Sequence, residues 1–215
     1  MKLIYKIVFI GFVVLLFSGC AANRGVVSLD TPQIGTIAAS NGKSIYVNSV
    51  SDKRIFEAKP ATPNIPSLSP VEINSPAIKS RAVGRKRNSY GVALGDILLK
   101  EGRSVEQIVG ESVEQAFLEN GYSIIKDKKD VTPETMMIDV KINKLWSWMN
   151  PGFWALKISC EIETDLIIGK NSSPKVEVIS VNASNNFQTG AGSNYISVMK
   201  QARQMYIAEV KNRLR

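Results

Sequence analysis

Apolar and polar residues alternate most regularly over residues 154–168. Apolar side chains recur there at nearly every second position. The polar positions between them are Lys157, Ser159, Glu161, Glu163 and Asp165. A period of two is typical of a strand with one buried and one wet face. Shorter runs of the same kind over 136–148 and 175–187, joined to it by turns at 150–152 and 169–174, predict a three-stranded antiparallel meander.

Two segments show the period of an α-helix instead. In the first, Ser104 opens a capping box, apolar residues follow at intervals of three and four, and Gly121 suits a left-handed C-terminal cap. This pattern predicts a helix over 104–120. The second helix is predicted to begin at Ser193 or Asn194 and to run almost to the end of the chain.

The remaining apolar runs are short. Residues 43–50 and 122–125 are rich in β-branched or aromatic side chains and predict two further strands. Residues 57–88 contain five prolines, which lack a backbone donor, and predict a long extended loop. Together the elements predict an α+β fold: a mostly antiparallel sheet of about five strands with two helices packed on one face.

The most apolar segment lies at the amino terminus. Lys2 and Lys6 precede an apolar run from Ile7 to Phe17. This run is shorter than the roughly 20 residues that a transmembrane helix needs. Small residues follow, and this order is typical of a secretory signal peptide. The sequence Leu16-Phe17-Ser18-Gly19-Cys20 resembles the lipobox of bacterial lipoproteins, with Phe17 at the position where Leu is most frequent.

The lipobox resemblance implies cleavage after Gly19, diacylglycerol on the sulfur of Cys20 and an acyl chain such as palmitate on the new amine. The chain would then comprise a signal peptide (1–19), a lipidated cysteine with a flexible tether (20–42) and one periplasmic domain (43–215). The alternative is an ordinary signal in which Cys20 is incidental. No Asp follows Cys20, which favours the outer membrane over the inner membrane.

Composition removes several classes of chemistry. The chain has no histidine, which excludes His-dependent triads and imidazole metal ligands. With Cys20 lipidated, Cys160 is the remaining thiol; it stands in the apolar phase of its strand and is expected to be buried and structural. Glu161 and Glu163 share a strand face, but nothing converges on them. We predict no catalytic residue, cofactor or metal site; a glycan hydrolase would require converging carboxylates in a cleft.

Positive charge is the main candidate for recognition chemistry. The formal net charge is +8, or about +6 without Lys2 and Lys6. Five cations that can grip phosphates or carboxylates fall at the end of the predicted loop: Lys79, Arg81, Arg85, Lys86 and Arg87. The alternative is a solvated basic loop that aids solubility or rests on anionic head groups. In an exported protein, anionic lipid or peptidoglycan is the expected partner, and nucleic acid is not.

Aromatic residues flank the turn at Pro151. Trp154 fits the buried phase of its strand and is expected in the core. Trp146 and Trp148 share a phase and are candidate surface aromatics for contact with a partner or a sugar, with the edge of a core as the alternative.

Several stretches resemble the YajG-type lipoproteins of Gram-negative bacteria. These are residues 105–122 (VEQIVGESVEQAFLENGY), 137–146 (MIDVKINKLW) and 155–168 (ALKISCEIETDLII). Residues 84–99 (GRKRNSYGVALGDILL) resemble a signature of a longer subgroup. The resemblance implies a helix, a meander and a closing helix in an envelope protein. It supplies no catalytic or binding residue, because that family has no established activity.

Two functional hypotheses follow. The first is a non-enzymatic binding or assembly module on the periplasmic face of the outer membrane, anchored through Cys20, with an envelope protein complex as its partner. The loop over 57–88 would become ordered on contact. The second is a carrier or sensor for an anionic envelope component, lipopolysaccharide or peptidoglycan, that uses Arg85, Lys86 and Arg87.

Overall fold

The computed structural model describes residues 24–32, 34–169 and 174–214. The predicted signal peptide, Cys20 and most of the predicted turn at 169–174 lie outside the described residues. The elements in chain order are β1 (Gly25–Val27), β2 (Ser44–Asp52), α1 (Pro76–Lys79), β3 (Ala82–Arg87), β4 (Ala93–Leu99), α2 (Val105–Glu119), β5 (Ser123–Ile124), a 3-10 turn (Lys128–Asp130), β6 (Met136–Pro151), β7 (Leu156–Ile168), β8 (Lys175–Phe187) and α3 (Gly192–Arg213).

All eight of these strands belong to one mixed sheet. Strands β6, β7 and β8 form the predicted antiparallel meander, in which β6 pairs with β7 from Ile138 to Pro151 and β7 pairs with β8 over its full length. The other edge of β6 is shared by two parallel partners, β2 along its first half and β3 near its end. The prediction of about five mostly antiparallel strands is therefore wrong, because β1, β3 and β4 were not anticipated and because parallel pairing joins strands that are distant in sequence.

The two long helices form as the sequence pattern predicts. At the start of α2, the backbone N–H of Gln107 donates to Ser104 Oγ (3.3 Å) and the backbone N–H of Ser104 donates to Gln107 Oε1 (2.9 Å). Gly121 follows the helix with a φ of +81°, a conformation in which glycine is not strained. The N-cap of helix α3 is Ala191, two or three residues before the predicted cap at Ser193 or Asn194.

The main hydrophobic core lies between one face of the sheet and both helices, which confirms that two helices cover one face. A smaller apolar cluster lies away from this core and contains Phe56, Leu68, Ala82, Leu98, Trp146 and Trp148. Ile73 and Ile78, from the segment that precedes β3, pack against it. Residues 57–88 are therefore not a long extended loop: their first part covers this second cluster and their last part is strand β3.

The segment before β2 is packed along the domain where the structure describes it. Strand β1 pairs with β4, and Leu29 is buried in the main core. The backbone N–H of Ala38 donates to Glu119 O (3.1 Å), and that of Asn41 donates to Gly121 O (3.0 Å). Within the tether predicted over 20–42, residues 25–32 and 34–41 therefore lie against the domain and make hydrogen bonds with it.

Candidate functional site

The five cations predicted as an anion site are not displayed together on a loop. Lys79 ends α1, with Nζ 5.6 Å from the centre of the Phe56 ring. Arg81 Nε donates to Leu99 O (2.9 Å). Arg87 Nη2 donates to Ser67 Oγ (3.0 Å), and burial, with repulsion from Arg85, lowers the pKa of Arg87.

Arg85 belongs to an ion-pair network that joins β1, β3 and β4. Its Nε lies 3.2 Å from Asp96 Oδ1, and Arg24 Nη2 lies 3.2 Å from the other oxygen of the same buried carboxylate. Arg24 also pairs with Glu72, and these hydrogen bonds raise the pKa of Arg24 and lower that of Glu72. The network fixes the position of the chain where it enters the sheet. Arg85 is paired with Asp96 by charge, but Nε and Nη1 of Arg85 and Oδ1 of Asp96 are buried without a hydrogen bond among the described residues.

The predicted roles of the tryptophans are reversed. Trp146 is fully buried and Trp148 nearly so, whereas Trp154 is 84% exposed. Trp154 is exposed because it precedes β7, which begins at Leu156, so the period of two does not extend to it. The face of the sheet that Trp146 and Trp148 occupy is set by a β-bulge at Asn143, where β6 has one residue more than β7. A bulge shifts the alternation of side chains by one position, so the two tryptophans of β6 turn away from the main core into the second cluster. Trp146 Nε1 donates to Pro63 O there (3.2 Å).

The predicted structural role of Cys160 is confirmed. Its side chain is fully buried, and burial raises its pKa to about 12. Neighbouring Glu161 pairs with Lys144 across the sheet (3.0 Å). Among the described residues no group of three or more Cys, Asp or Glu side chains is placed to hold a metal ion.

A cleft of about 590 Å³ lies between α2, α3 and the segment around residue 30. We call this site the helix cleft. It is open to solvent, and its lining combines charged groups with aliphatic surface. The residues that line it are Asp30, Thr31, Pro32, Gly35, Gln115, Glu119, Lys200, Arg203, Gln204, Ile207, Ala208 and Lys211.

Two buried charged residues anchor the walls of the helix cleft. Arg203 Nε donates to Ser112 Oγ (3.0 Å), Nη1 donates to Asp30 O (2.5 Å), and Nη2 pairs with Glu111 (3.3 Å). Burial lowers the pKa of Arg203 to about 10, against the attraction of Glu111. Every nitrogen of this guanidinium therefore joins α3 to α2 or to the amino-terminal segment.

Glu119 is the second of these residues and lies at the end of α2. It accepts hydrogen bonds from Gly35 N (2.8 Å), Gln115 Nε2 (2.7 Å) and Lys211 Nζ (2.7 Å). Burial acts to raise the pKa of Glu119, but the hydrogen bonds outweigh it and the pKa is lowered. A carboxylate with this set of donors stays ionised at neutral pH.

The sequence did not predict this site, because the charged residues of α3 were interpreted as the solvent-exposed face of an amphipathic helix. A signal was present in the spacing. Arg203 stands in phase with Met199 and Tyr206 of the apolar stripe of α3, and a charge inside such a stripe is buried when it has partners.

Comparisons with known proteins support the fold alone. No family model matches the sequence, and no curated protein matches it. The solved structure of an uncharacterized protein is similar with a TM-score of 0.50 at 8% identity, over 89% of this chain and 99% of that one. At such low identity the likeness shows the fold alone.

Two weaker likenesses carry no argument about this chain. A Xanthomonas campestris protein of the DUF330 family gives a TM-score of 0.48 at 11% identity, over 88% of this chain and 94% of that one. A minor lipoprotein from Acinetobacter baumannii gives 0.36 at 7% identity, over 52% and 87%. Neither of these two structures names the YajG type. In the part of the chain that the structure describes, no helix has the length and apolar content to cross a membrane.

Proposed function

We propose that this chain is a non-enzymatic envelope lipoprotein that acts as a binding or assembly module. Lipid on Cys20 attaches it to the periplasmic face of the outer membrane, and its proposed class is that of the YajG-type lipoproteins. The support for the anchor is the order of the amino-terminal residues: a positive start, an apolar run and a lipobox-like ending at Cys20. The sequence has no histidine, which removes catalysis that depends on an imidazole.

The observation that carries the binding role is the helix cleft. Its volume of about 590 Å³ falls in the range of sites that hold a ligand or a short segment of a partner. Three cations line it, Lys200, Arg203 and Lys211, against two carboxylates. Lys211 pairs with Glu119 and Arg203 with Glu111, whereas Lys200 pairs with Asp30 at 3.6 Å in a solvent-exposed contact that an incoming carboxylate can replace. The cleft therefore suits a partner segment that places a carboxylate near Lys200 beside apolar side chains.

The predicted alternative, a carrier or sensor of lipopolysaccharide or peptidoglycan through the basic residues, has less support. Arg85 and Arg87 are engaged with Asp96, Ser67 and the backbone of Gly91. A new anion would have to compete with these partners. Lys86 makes no ion pair within the described residues, and a single lysine gives little selectivity.

The test uses neighbouring positions on α3. A photo-crosslinking amino acid replaces Gln204, which lines the helix cleft, or Met205, which is exposed and does not line it. In intact cells we expect a defined crosslinked product from position 204 and none from position 205. Equal products from both positions, or none from either, would contradict a partner site in the cleft.

The anchor is tested separately. Mass spectrometry of the mature chain should find acyl chains on Cys20, and membrane fractionation should place the protein with the outer membrane. Cys20→Ser should abolish both the lipid and the membrane association. An unmodified Cys20 in the wild-type protein would remove the anchor from the proposal and leave the crosslinking result to decide the binding role.

A further inference from the structure

One end of the sheet carries several turns side by side. Strand β3 runs parallel to β6, with Arg85 beside Trp148, so both strands finish at this end. The approach is close, since a Cβ on Gly84 would lie 2.5 Å from Ser147 O. A hollow of about 320 Å³ is lined jointly by residues 60–63, by the β3–β4 turn and by the end of β6.

A further connection lies at the same end. A Cβ on Gly190, between β8 and α3, would be 3.3 Å from Met149 Sδ of β6. We call this surface the apolar end and define it by four connections, residues 60–63, 88–92, 152–155 and 188–191. None of them contains a charged residue.

Large apolar side chains project from the apolar end into solvent. Phe153 is 90% exposed and Trp154 is 84% exposed, and their rings meet edge to face with centroids 4.7 Å apart. Tyr90 is 90% exposed in the neighbouring turn, and Val92 is also exposed. Adjacent exposed aromatics in uncharged turns mark a surface that another apolar phase covers.

The opposite end of the sheet has the reverse character. Strand β4 leads away from the apolar end into Lys100, Glu101 and Arg103, level with the middle of β6. At the far end, the chain approaches the start of β6 through residues 126–130, all of them charged. The two ends of the sheet therefore differ in polarity: the charged end suits water, and the apolar end suits contact with an apolar phase.

The chain enters the sheet from the apolar end. Strand β1 runs parallel to β4, with Gly25 opposite Ile97, and β4 begins at Ala93 directly after the 88–92 turn. Arg24 is held beside Asp96, about 10 Å along the strand from Ala93. Cys20 is four residues before Arg24, and four residues span at most about 14 Å.

We propose that the apolar end is a membrane-contact surface that inserts its aromatic side chains among the phospholipid head groups beside the lipidated Cys20. This rests on the proposed anchor and adds an orientation to it. A lipid on Cys20 brings Arg24 within about 14 Å of the bilayer, so a lipid surface is the apolar phase next to these turns. Aromatic residues favour the interface between water and hydrocarbon, and exposed Lys157 beside the turn suits anionic head groups.

This orientation also determines where the helix cleft lies relative to the membrane. Helix α3 starts next to the apolar end and runs away from it, and its cleft residues begin eight positions after its first residue, about 12 Å along the axis. The cleft then opens into the periplasm, away from the bilayer, where a partner can reach it.

The test measures the quenching of tryptophan emission by bromine on the lipid chains. The full-length, lipidated protein is reconstituted into vesicles of phosphatidylethanolamine and phosphatidylglycerol, with or without brominated acyl chains. We expect bromolipid to quench Trp154, and Trp154→Phe to remove the quenched part of the emission, because Trp146 and Trp148 are buried. In the matched control, Lys128→Trp in the Trp154→Phe background, the reporter at the charged end should not be quenched.

A second pair of variants tests the surface with Trp154 as the reporter. Tyr90→Asp combined with Phe153→Asp should reduce the quenching several-fold, whereas Ile55→Asp, at a position 79% exposed and outside the apolar end, should not. Unquenched Trp154 in protein that carries the lipid and floats with the vesicles would overturn the orientation and leave the anchor intact. A shielded but unquenched Trp154 would mean that protein covers the apolar end, which also overturns it. Protein without lipid on Cys20 would instead refute the anchor, and with it the orientation.

Discussion

At the scale of single residues, the buried charges explain how α2, α3 and the amino-terminal segment are joined. Glu119 and Arg203 each bind groups from more than one of these three parts. A buried charge is tolerated only when its partners replace water. Glu119 and Arg203 therefore stabilise the fold only when all of their partners are in place. Removal of one charged residue leaves its partners buried without a hydrogen bond.

Replacement of Glu119 by Gln tests this at residue scale. The folded-state pKa of Glu119 lies below its ordinary value of 4.5, so the carboxylate stabilises the fold above that pH, and this contribution is lost as the pH falls through the folded pKa. We expect Glu119→Gln to lower the free energy of unfolding by about 1–3 kcal/mol at pH 7. The difference from wild type should shrink below pH 4.5.

Urea unfolding at pH 7 and at pH 4 measures both values. Glu101→Gln is the control, because the side chain of Glu101 is 91% exposed and its change should be within about 0.5 kcal/mol at either pH. A difference for Glu119→Gln that is the same at both pH values would mean that its charge does not stabilise the fold.

At the scale of elements, one extra residue in β6 decides what both faces of the sheet contain. Before Asn143, even-numbered side chains of β6 such as Ile142 enter the main core; after it, odd-numbered ones such as Leu145 do so. The even-numbered tryptophans then fill the second cluster, which also needs the cover from residues 57–80. The bulge and the proline-rich segment are thus two parts of one arrangement.

Paired alanine variants test this at element scale. Trp146→Ala should lower the free energy of unfolding by about 3–5 kcal/mol, because it empties a fully buried site against Phe56. Trp154→Ala should change it by no more than about 0.5 kcal/mol, because the side chain is exposed. Denaturant unfolding of both proteins gives the comparison. Equal losses, or a larger loss at position 154, would contradict the described placement of the two rings.

At the scale of the whole molecule, the amino-terminal segment is part of the domain. It adds an edge strand, β1, contributes Val27 and Leu29 to the main core, and borders the helix cleft through Asp30 and Gly35. The proposed anchor at Cys20 would therefore leave little chain between the membrane and the folded domain. A protein anchored in this way would hold a fixed face toward the membrane, while a long flexible tether would let it turn freely.

Alanine substitutions within this segment test whether it is integral to the fold. Leu29→Ala should lower the free energy of unfolding by about 2–5 kcal/mol, since the side chain is buried in the main core. Ile37→Ala, in the same segment but half exposed, should have a much smaller effect. Thermal or urea unfolding measures both. An unchanged stability in Leu29→Ala would support the flexible tether that the sequence predicts.

The sequence by itself determined the elements whose signals are local. The capping box at Ser104, the glycine after α2 and the period of two in β7 and β8 each act between residues that are close in the chain. The burial of Cys160 followed from the same period. The predicted anchor at Cys20 rests on the same kind of local pattern, and so does the resemblance to the YajG-type lipoproteins.

Only the tertiary structure decided which faces these elements present. The bulge at Asn143 is recognised by its pairing with β7, and it turns Trp146 toward the second cluster, where residues distant in sequence such as Leu68 cover it. The parallel pairing of β2 and β3 with β6 brings together residues more than 60 positions apart along the chain, such as Gly84 and Ser147. Arg85 has a buried partner in Asp96 only because β3 and β4 lie side by side. A charge or an aromatic ring becomes a site or a core residue through neighbours that are distant in sequence, and local patterns do not encode those neighbours.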